Sequence, residues 1–378
     1  MSLQESGYEA LARKYRPQTF DDVVGQEHVI AALKNSFENN RIHHAYLLTG
    51  TRGIGKTTIA RIIAKCLECE GGITVNPHTQ DDENCCSICN AIANGNFPDV
   101  IEIDAASQTK VDDTRVLLEN TQYPPMQGRF KIYIIDEVHM LSSSSFNALL
   151  KTLEEPPAYV KFILATTDPQ KIPATVLSRC LQFQLKALSV QQIASRIVEI
   201  TKREGIACEK EASVVIARAA RGSMRDALSL CDQAIALGNG VLSRVSAEQM
   251  LGESSDSMIC NILELLKLNS QVSLEDVLNK IKDRSPNYKN LLDTLIVTLH
   301  DLALYQMLGQ NSENNFLSTP EETLSTYARV FSPEALQLYY QISLQGLEEL
   351  KIASDGSIAF EMTVLRLNAF TPEKKKIG

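Results

Sequence analysis

The 378-residue sequence predicts a doubly wound parallel α/β domain followed by two helical blocks. Three observations carry that prediction. Short β-branched runs alternate with helical patterns up to about residue 187. A glycine-rich stretch, GTRGIGKTT, joins the first of these runs to a helix. Beyond it the strand-like runs stop, while amphipathic periodicity continues to the end of the chain.

The runs are AYLLTG (45–50), DVIEIDAA (99–106), KIYIIDE (131–137) and VKFILATT (160–167). Each is nearly continuous in apolar character, as expected of strands covered on both faces. Between them, KTTIARIIAKCL sets Ile59, Ile62, Ile63 and Cys66 on one helical face. SSSSFNALLKTLEEPP opens on capping serines, carries a stripe of Phe146, Leu149, Leu150 and Leu153, and stops at Pro156–Pro157. LSVQQIASRIVEITKREGI repeats Ile193, Ile197 and Ile200, and the helical pattern after it repeats Val215, Ile216, Ala219 and Ala220. From residue 251 five further helical patterns follow, with LGQNSENNFLSTPEE as a loop and TPEKKKIG as a frayed tail. The expected domains are 1–187 (α/β), 188–250 (a small helical lid) and 251–378 (all-helical).

Apolar residues make up 44% of the chain, enough for sizeable cores, and the net charge is −9. An acidic chain does not coat nucleic acid by bulk attraction, so any DNA contact needs a local basic surface or a partner. Lys110 and Lys161 are the lysines considered for such a surface. No uninterrupted apolar run reaches 18 residues, so no bilayer span is expected. The N-terminus lacks a basic-then-apolar signal pattern, which makes the cytoplasm the expected compartment.

Gly50-x4-Gly55-Lys56-Thr57 has the spacing of a phosphate-binding loop, and it sits between a strand and a helix as that loop requires. Its glycines let backbone N–H groups approach phosphate, Lys56 supplies charge near the β- and γ-phosphates, and Thr57 offers a hydroxyl to Mg2+. IYIIDEVHM ends a strand on Asp136 and Glu137. Asp136 suits the Mg2+ shell and Glu137 suits the orientation of an attacking water. The letters DEVH also occur in helicases, but no second helicase core follows. LATTDPQKIP ends another strand on Thr166 and Thr167, hydroxyls able to sense a γ-phosphate. Arg179, before a strand-like segment, and Arg225, near a helix start, are each suited to a transferring phosphoryl group. Equally, both could be surface arginines paired with acids such as Asp226.

RKYRPQTFDDVVGQEHV, GTRGIGKTT, IYIIDEVHMLS, FNALLKTLEEPP, FILATTDPQKIPATVLSRC and GSMRDALSL together resemble AAA+ ATPases, and more closely the gamma/tau family of bacterial DNA polymerase III, the motor of the sliding-clamp loader. The likeness covers about residues 8–240. It implies a Walker A loop of Gly50, Thr51, Gly53, Ile54, Gly55, Lys56, Thr57 and Thr58, and a Walker B pair of Asp136 and Glu137. Sensor 1 falls at Thr166 or Thr167, a trans-acting arginine finger at Arg179 and sensor 2 at Arg225. The segment from Arg13 to Val24, with Tyr15 and Arg16, would lie along the adenine. The last block matches the family's oligomerisation collar in type. The implied cofactors are ATP, Mg2+ and Zn2+. The implied partners are delta, delta-prime, further gamma/tau copies, the β sliding clamp and primer-template DNA. Polymerase chemistry is not expected in this chain.

Of nine cysteines, five fall between Cys66 and Cys89, which in a reducing compartment reads as metal before disulfide. Cys180, Cys208, Cys231 and Cys260 are isolated and expected as buried free thiols. The resembled family carries a structural zinc module after its P-loop helix, patterned C-x8-C-x2-C-x2-C. Cys86-x2-Cys89 is a zinc half-site and Cys69 fits the upstream ligand. The fourth ligand is open between Cys85 and His78, the latter with eight residues between it and Cys69. Parts of the same pattern also occur in a non-hydrolysing delta-prime type subunit, in a branch-migration AAA+ motor, and in a scaffold that binds ATP without turnover. The chain ends soon after the collar-like block, as a gamma-like form, a truncated chain or a short homologue would.

Overall fold

A computed structural model describes residues 9–79, 86–107, 120–251, 255–267, 270–283, 286–308 and 319–370. The chain divides into two compact units, Met1–Ala247 and Glu248–Gly378.

In the first unit, α1 (Leu11–Lys14) and α2 (Glu27–Glu38) precede β1 (Ala45–Thr49). The phosphate loop follows and opens α3 (Lys56–Glu68), then α4 (Ser87–Ala93) and β2 (Val100–Asp104). Next come β3 (Lys131–Asp136), α5 (Ser143–Glu154), β4 (Val160–Thr166), α6 (Ala174–Leu177) and β5 (Leu181–Gln184). All strand pairings are parallel, in the order β2-β3-β4-β1-β5. Alternate residues feed two layers. Tyr46, Leu48, Ile132, Ile134 and Ile163 pack with Leu33 of α2 and Ile59, Ile62 and Ile63 of α3. Ala45, Leu47, Tyr133, Ile135, Phe162 and Leu164 pack with Phe146, Leu149 and Leu153 of α5. This is the doubly wound arrangement expected. Burial on both faces holds for β1, β3 and β4. It fails for β2 and β5, because each is an edge strand with partly exposed residues.

α7 (Val190–Arg203), α8 (Lys210–Ala219) and α9 (Met224–Leu237) form the helical lid, and α10 (Arg244–Leu251) crosses the division between the units. Ser189 and Gln192 close a reciprocal capping box on α7. On α8 the inward stripe is Ala212, Ser213, Ile216 and Ala217; Val215 is only half-buried, a shift of the expected face. Arg221, at φ 48°, and Gly222, at φ 85°, break α8 from α9, where Ser223 takes over as cap.

The second unit contains α11 (Ser255–Leu265), α12 (Leu274–Asp283), α13 (Tyr288–Leu308), α14 (Glu321–Tyr327), α15 (Pro333–Leu350) and α16 (Gly356–Ala369). α13 is long and apolar enough by composition to cross a membrane, at mean hydropathy 1.3. Here Leu291, Leu292, Leu295, Leu299 and Leu302 enter the unit's core with Leu336, Tyr339, Phe360 and Val364. Its Asp301 is buried and accepts the Thr319 backbone N–H and hydroxyl, both at 2.9 Å. The expected loop between α13 and α14 falls mostly, and the expected frayed tail wholly, outside the described residues.

Candidate functional site

The carboxyl ends of β1, β3 and β4 align. Thr49 pairs with Thr166, and the Gly50 N–H donates to the Thr166 carbonyl at 3.2 Å. The loop therefore rises from the sheet beside Asp136 and Thr166, at the edge where parallel α/β sheets place ligands. Gly53 (φ 78°) and Gly55 (φ 103°) lie in the left-handed region. A Cβ on Gly50 would come within 2.8 Å of the Leu185 carbonyl. These positions require glycine.

Lys56 is buried and its ammonium donates to the carbonyls of Gly50 (2.8 Å) and Thr51 (2.9 Å). Burial pushes its pKa down, and the charges of Glu137 and Asp136 pull it back up. Thr57 and Thr58 follow in the first turn of α3. The Thr57 hydroxyl donates to Asp136 Oδ2 at 2.7 Å. The Glu137 backbone N–H donates to Asp136 Oδ1 at 3.0 Å. Glu137 itself has φ 47°, which is rare for a non-glycine residue and turns its side chain off the strand. Its Oε2 accepts the Thr167 hydroxyl at 2.9 Å and the Thr167 N–H at 3.1 Å.

The two sensor threonines separate. Thr166 is fully buried and its Oγ1 is 2.9 Å from His139 Nδ1, whereas Thr167 is exposed and bonded to Glu137. His139 closes the DEVH string, but the sequence assigns it no role of its own.

Ser223 and Arg225, at the start of α9, bring the lid onto the loop. The Arg225 N–H donates to the Gly53 carbonyl at 3.4 Å, and a Cβ on Gly53 would run into Ser223 Oγ. Arg16 is half-buried, and burial together with the Arg61 charge lowers its pKa against the pull of Glu102. Within the Arg13–Val24 segment, the Gln18 carbonyl accepts a bond from the buried Lys65 ammonium of α3 at 3.1 Å and Asp22 accepts the Gln18 and Thr19 N–H groups, while other bonds at this end of the chain go to the lid. The Leu11 N–H donates to Asp232 at 3.0 Å, Lys14 pairs with Glu204 at 2.6 Å, and the Tyr15 hydroxyl donates to the same carboxylate. Arg13 is exposed and pairs with Glu9, and Val24 is half-buried ahead of Gly25. Gln26, buried, bonds both the carbonyl (2.8 Å) and the N–H (3.0 Å) of Lys186 after β5.

Arg179 donates to Glu154 at 2.9 Å, to the Thr175 carbonyl at 2.8 Å and to Ser178 at 3.3 Å. Among the described residues none of its bonds goes to the phosphate loop. Lys161 is buried, with its ammonium 5.0 Å from the Phe130 ring, and is corrected as a surface DNA contact. Lys110 lies outside the described residues.

A second cluster lies after α3. The ligand atoms of Cys69, His78, Cys86 and Cys89 all fall within 4.8 Å of one another. Cys69 Sγ is 3.2 Å from His78 Nδ1, and the Cys89 N–H donates to Cys86 Sγ at 3.3 Å. The three thiols are buried. A tetrahedral zinc with Zn–S bonds of about 2.3 Å sets sulfurs roughly 3.8 Å apart, so this donor set fits the ion. Cys85 lies outside the described residues. Of the isolated cysteines only Cys231 is fully buried; Cys180, Cys208 and Cys260 are half-buried, a correction of the expectation.

Beside this cluster are two buried carboxylates the sequence reading passed over. Asp99 accepts the N–H groups of Met126, Gln127 and Gly128 at 2.7–2.8 Å. Glu68 accepts those of Arg129 and Phe130, both at 2.8 Å.

Residues 25–189 match the family described as DNA polymerase III, delta subunit. Residues 192–240 match the DNA polymerase III clamp loader subunit ATPase lid domain, and residues 242–377 match domain III of DNA polymerase III subunits gamma and tau. The DNA polymerase III subunit tau/gamma of Haemophilus influenzae is 51% identical over 97% of this chain and 52% of its own length. The subunit tau of Escherichia coli is 52% identical over 97% of this chain and 56% of its own. This chain thus spans about half the length of those two relatives. The subunit gamma of Buchnera aphidicola subsp. Baizongia pistaciae is 44% identical over 95% of this chain and 96% of its own. The chain belongs to the gamma/tau family of DNA polymerase III clamp-loader subunits.

Proposed function

We propose that this chain is the ATP-hydrolysing motor subunit of a clamp loader, placing a β sliding clamp on primer-template DNA together with delta, delta-prime and further gamma/tau copies. The observation that carries the reading is the contact of Thr57 with Asp136 at 2.7 Å, at the mouth of a complete phosphate loop and beside Glu137. Lys56 binds the β- and γ-phosphates by leaving the loop carbonyls it now holds. Thr57 and Asp136 are the residues that would hold Mg2+, which when bound offsets the phosphate charge. Glu137 orients the water that attacks the γ-phosphorus and takes up its proton, while the bond from that phosphorus to the β,γ-bridging oxygen breaks and ADP leaves. Arg225 reaches the nucleotide from the lid. Arg179 acts on the neighbouring copy's nucleotide, exchanging Glu154 for a phosphoryl oxygen, so the working site is composite. Cys69, His78, Cys86 and Cys89 hold a structural Zn2+ that fixes the segment after α3.

ATP hydrolysis is measured with and without partner subunits, β clamp and primed DNA. Strong stimulation by all of them is expected. Arg179→Ala should abolish the stimulation and leave ATP binding by the mutated chain nearly intact; loss of binding in that variant would overturn the trans assignment. For the metal, one zinc per chain is expected, and Cys89→Ser should lose it.

A further inference from the structure

Glu137 faces a problem of aim. Its φ of 47° takes it off the strand, and its side chain retains 24% exposure. A glutamate so placed has several rotamers, and only one can face a bound water. The donors around its Oε2 remove that freedom. Two come from Thr167. The third donor within reach is His139 Nδ1, at 3.4 Å from the same oxygen and 2.9 Å from Thr166 Oγ1. The His139 side chain is itself only 10% exposed.

The proton on Nδ1 follows from its neighbours. A lone pair on Nδ1 would point at a carboxylate oxygen and be repelled, so Nδ1 carries the hydrogen and donates. Thr166 Oγ1 also accepts the Asp168 N–H at 3.0 Å. Its two lone pairs are then both engaged, and its hydroxyl hydrogen is the one it has left to give. Glu137 Oε1 accepts no bond from the described residues, which leaves that oxygen for water.

We infer that His139 is a positioning residue: its Nδ1–H bridges the buried Thr166 and Oε2 of Glu137, and so fixes the carboxylate with Oε1 presented to the attacking water. This rests on the proposal that Glu137 activates water for ATP hydrolysis. His139 touches neither substrate nor reacting atoms.

The test compares His139→Ala, His139→Asn, His139→Gln and Glu137→Gln in the full chain. It reads kcat and KM for ATP, affinity for a fluorescent ATP analogue, and melting temperature. Asparagine places its amide nitrogen where Nδ1 stood, whereas glutamine places it one bond further out but fills the volume better. His139→Ala should lower kcat roughly tenfold, the worth of one hydrogen bond to a charged group, with KM and affinity changed by less than about twofold. Asparagine should restore most of the loss and glutamine should not. Recovery by glutamine ahead of asparagine would show a packing role and overturn the inference. So would an unchanged kcat in the alanine variant, or a loss confined to KM and affinity. If Glu137→Gln turns over as fast as wild type, the reading of Glu137 fails first, and the inference falls with it.

Discussion

Thr167 holds one carboxylate oxygen of Glu137 twice, by its hydroxyl at 2.9 Å and by its backbone N–H at 3.1 Å. This joins the end of β4 to the end of β3, its neighbour in the sheet, and β4 in turn borders the strand that feeds the phosphate loop. Thr166, one residue earlier, points the other way and is buried. Side chains alternate along a strand, so Thr167 bonds Glu137 directly while Thr166 bonds His139 instead. Thr167→Val removes the hydroxyl while keeping the N–H and the shape. It should lower kcat by about tenfold with little change in nucleotide affinity, and Thr167→Ser should recover the rate. Steady-state ATPase measurements on the three chains check this.

The fold from 45 to 185 was legible because buried parallel strands read as continuous apolar runs and the intervening helices carry one clear stripe each. The phosphate loop and the Asp136–Glu137 pair were legible because glycine spacing and a polar strand end leave a local mark. His139, Asp99 and Glu68 were not. Their bonds link residues set by tertiary packing: Asp99 meets residues 126–128 and Glu68 meets 129–130. Pairing at that separation leaves no periodicity to read. Leu11, Lys14 and Tyr15 bond residues of the lid, pairings that likewise leave no local mark in the sequence.

The Asp99 carboxylate, 1% exposed, satisfies three backbone N–H groups. Asparagine has one acceptor oxygen, and its amide would face donors. Asp99→Asn should therefore destabilise the first unit by roughly 2 kcal/mol. Chemical denaturation gives the value, and faster hydrogen exchange at residues 126–128 gives the location.

Gly53 faces the cap of α9. Gly53→Ala puts a methyl group into Ser223 Oγ and forces alanine to φ 78°. A cost of about 1–3 kcal/mol is expected from the backbone alone, and the lid must also draw away from the loop. ATP affinity should fall with stability, as read by nucleotide titration beside thermal unfolding.

Lys14, and then Tyr15, hold the Glu204 carboxyl below its ordinary value. Burial and the bond to Glu204 push Tyr15 up to about 12. A carboxyl with a depressed folded pKa contributes above its unfolded value, about 4.3, and loses that contribution as pH falls through the folded value. The tie between α1 and the lid should thus hold at pH 6 and release in acid below pH 4. Hydrogen exchange at residues 11–16, corrected for intrinsic pH dependence, should show lost protection over that window and none between pH 6 and 8.

The central claim is that Glu137 performs the hydrolytic step at a loop that binds ATP through Lys56. Binding and turnover of ATP, measured on the same samples of wild type and Glu137→Gln, test it most directly. The account predicts wild-type affinity in the variant with turnover reduced by about a hundredfold or more. A variant that hydrolyses ATP at the wild-type rate would contradict it.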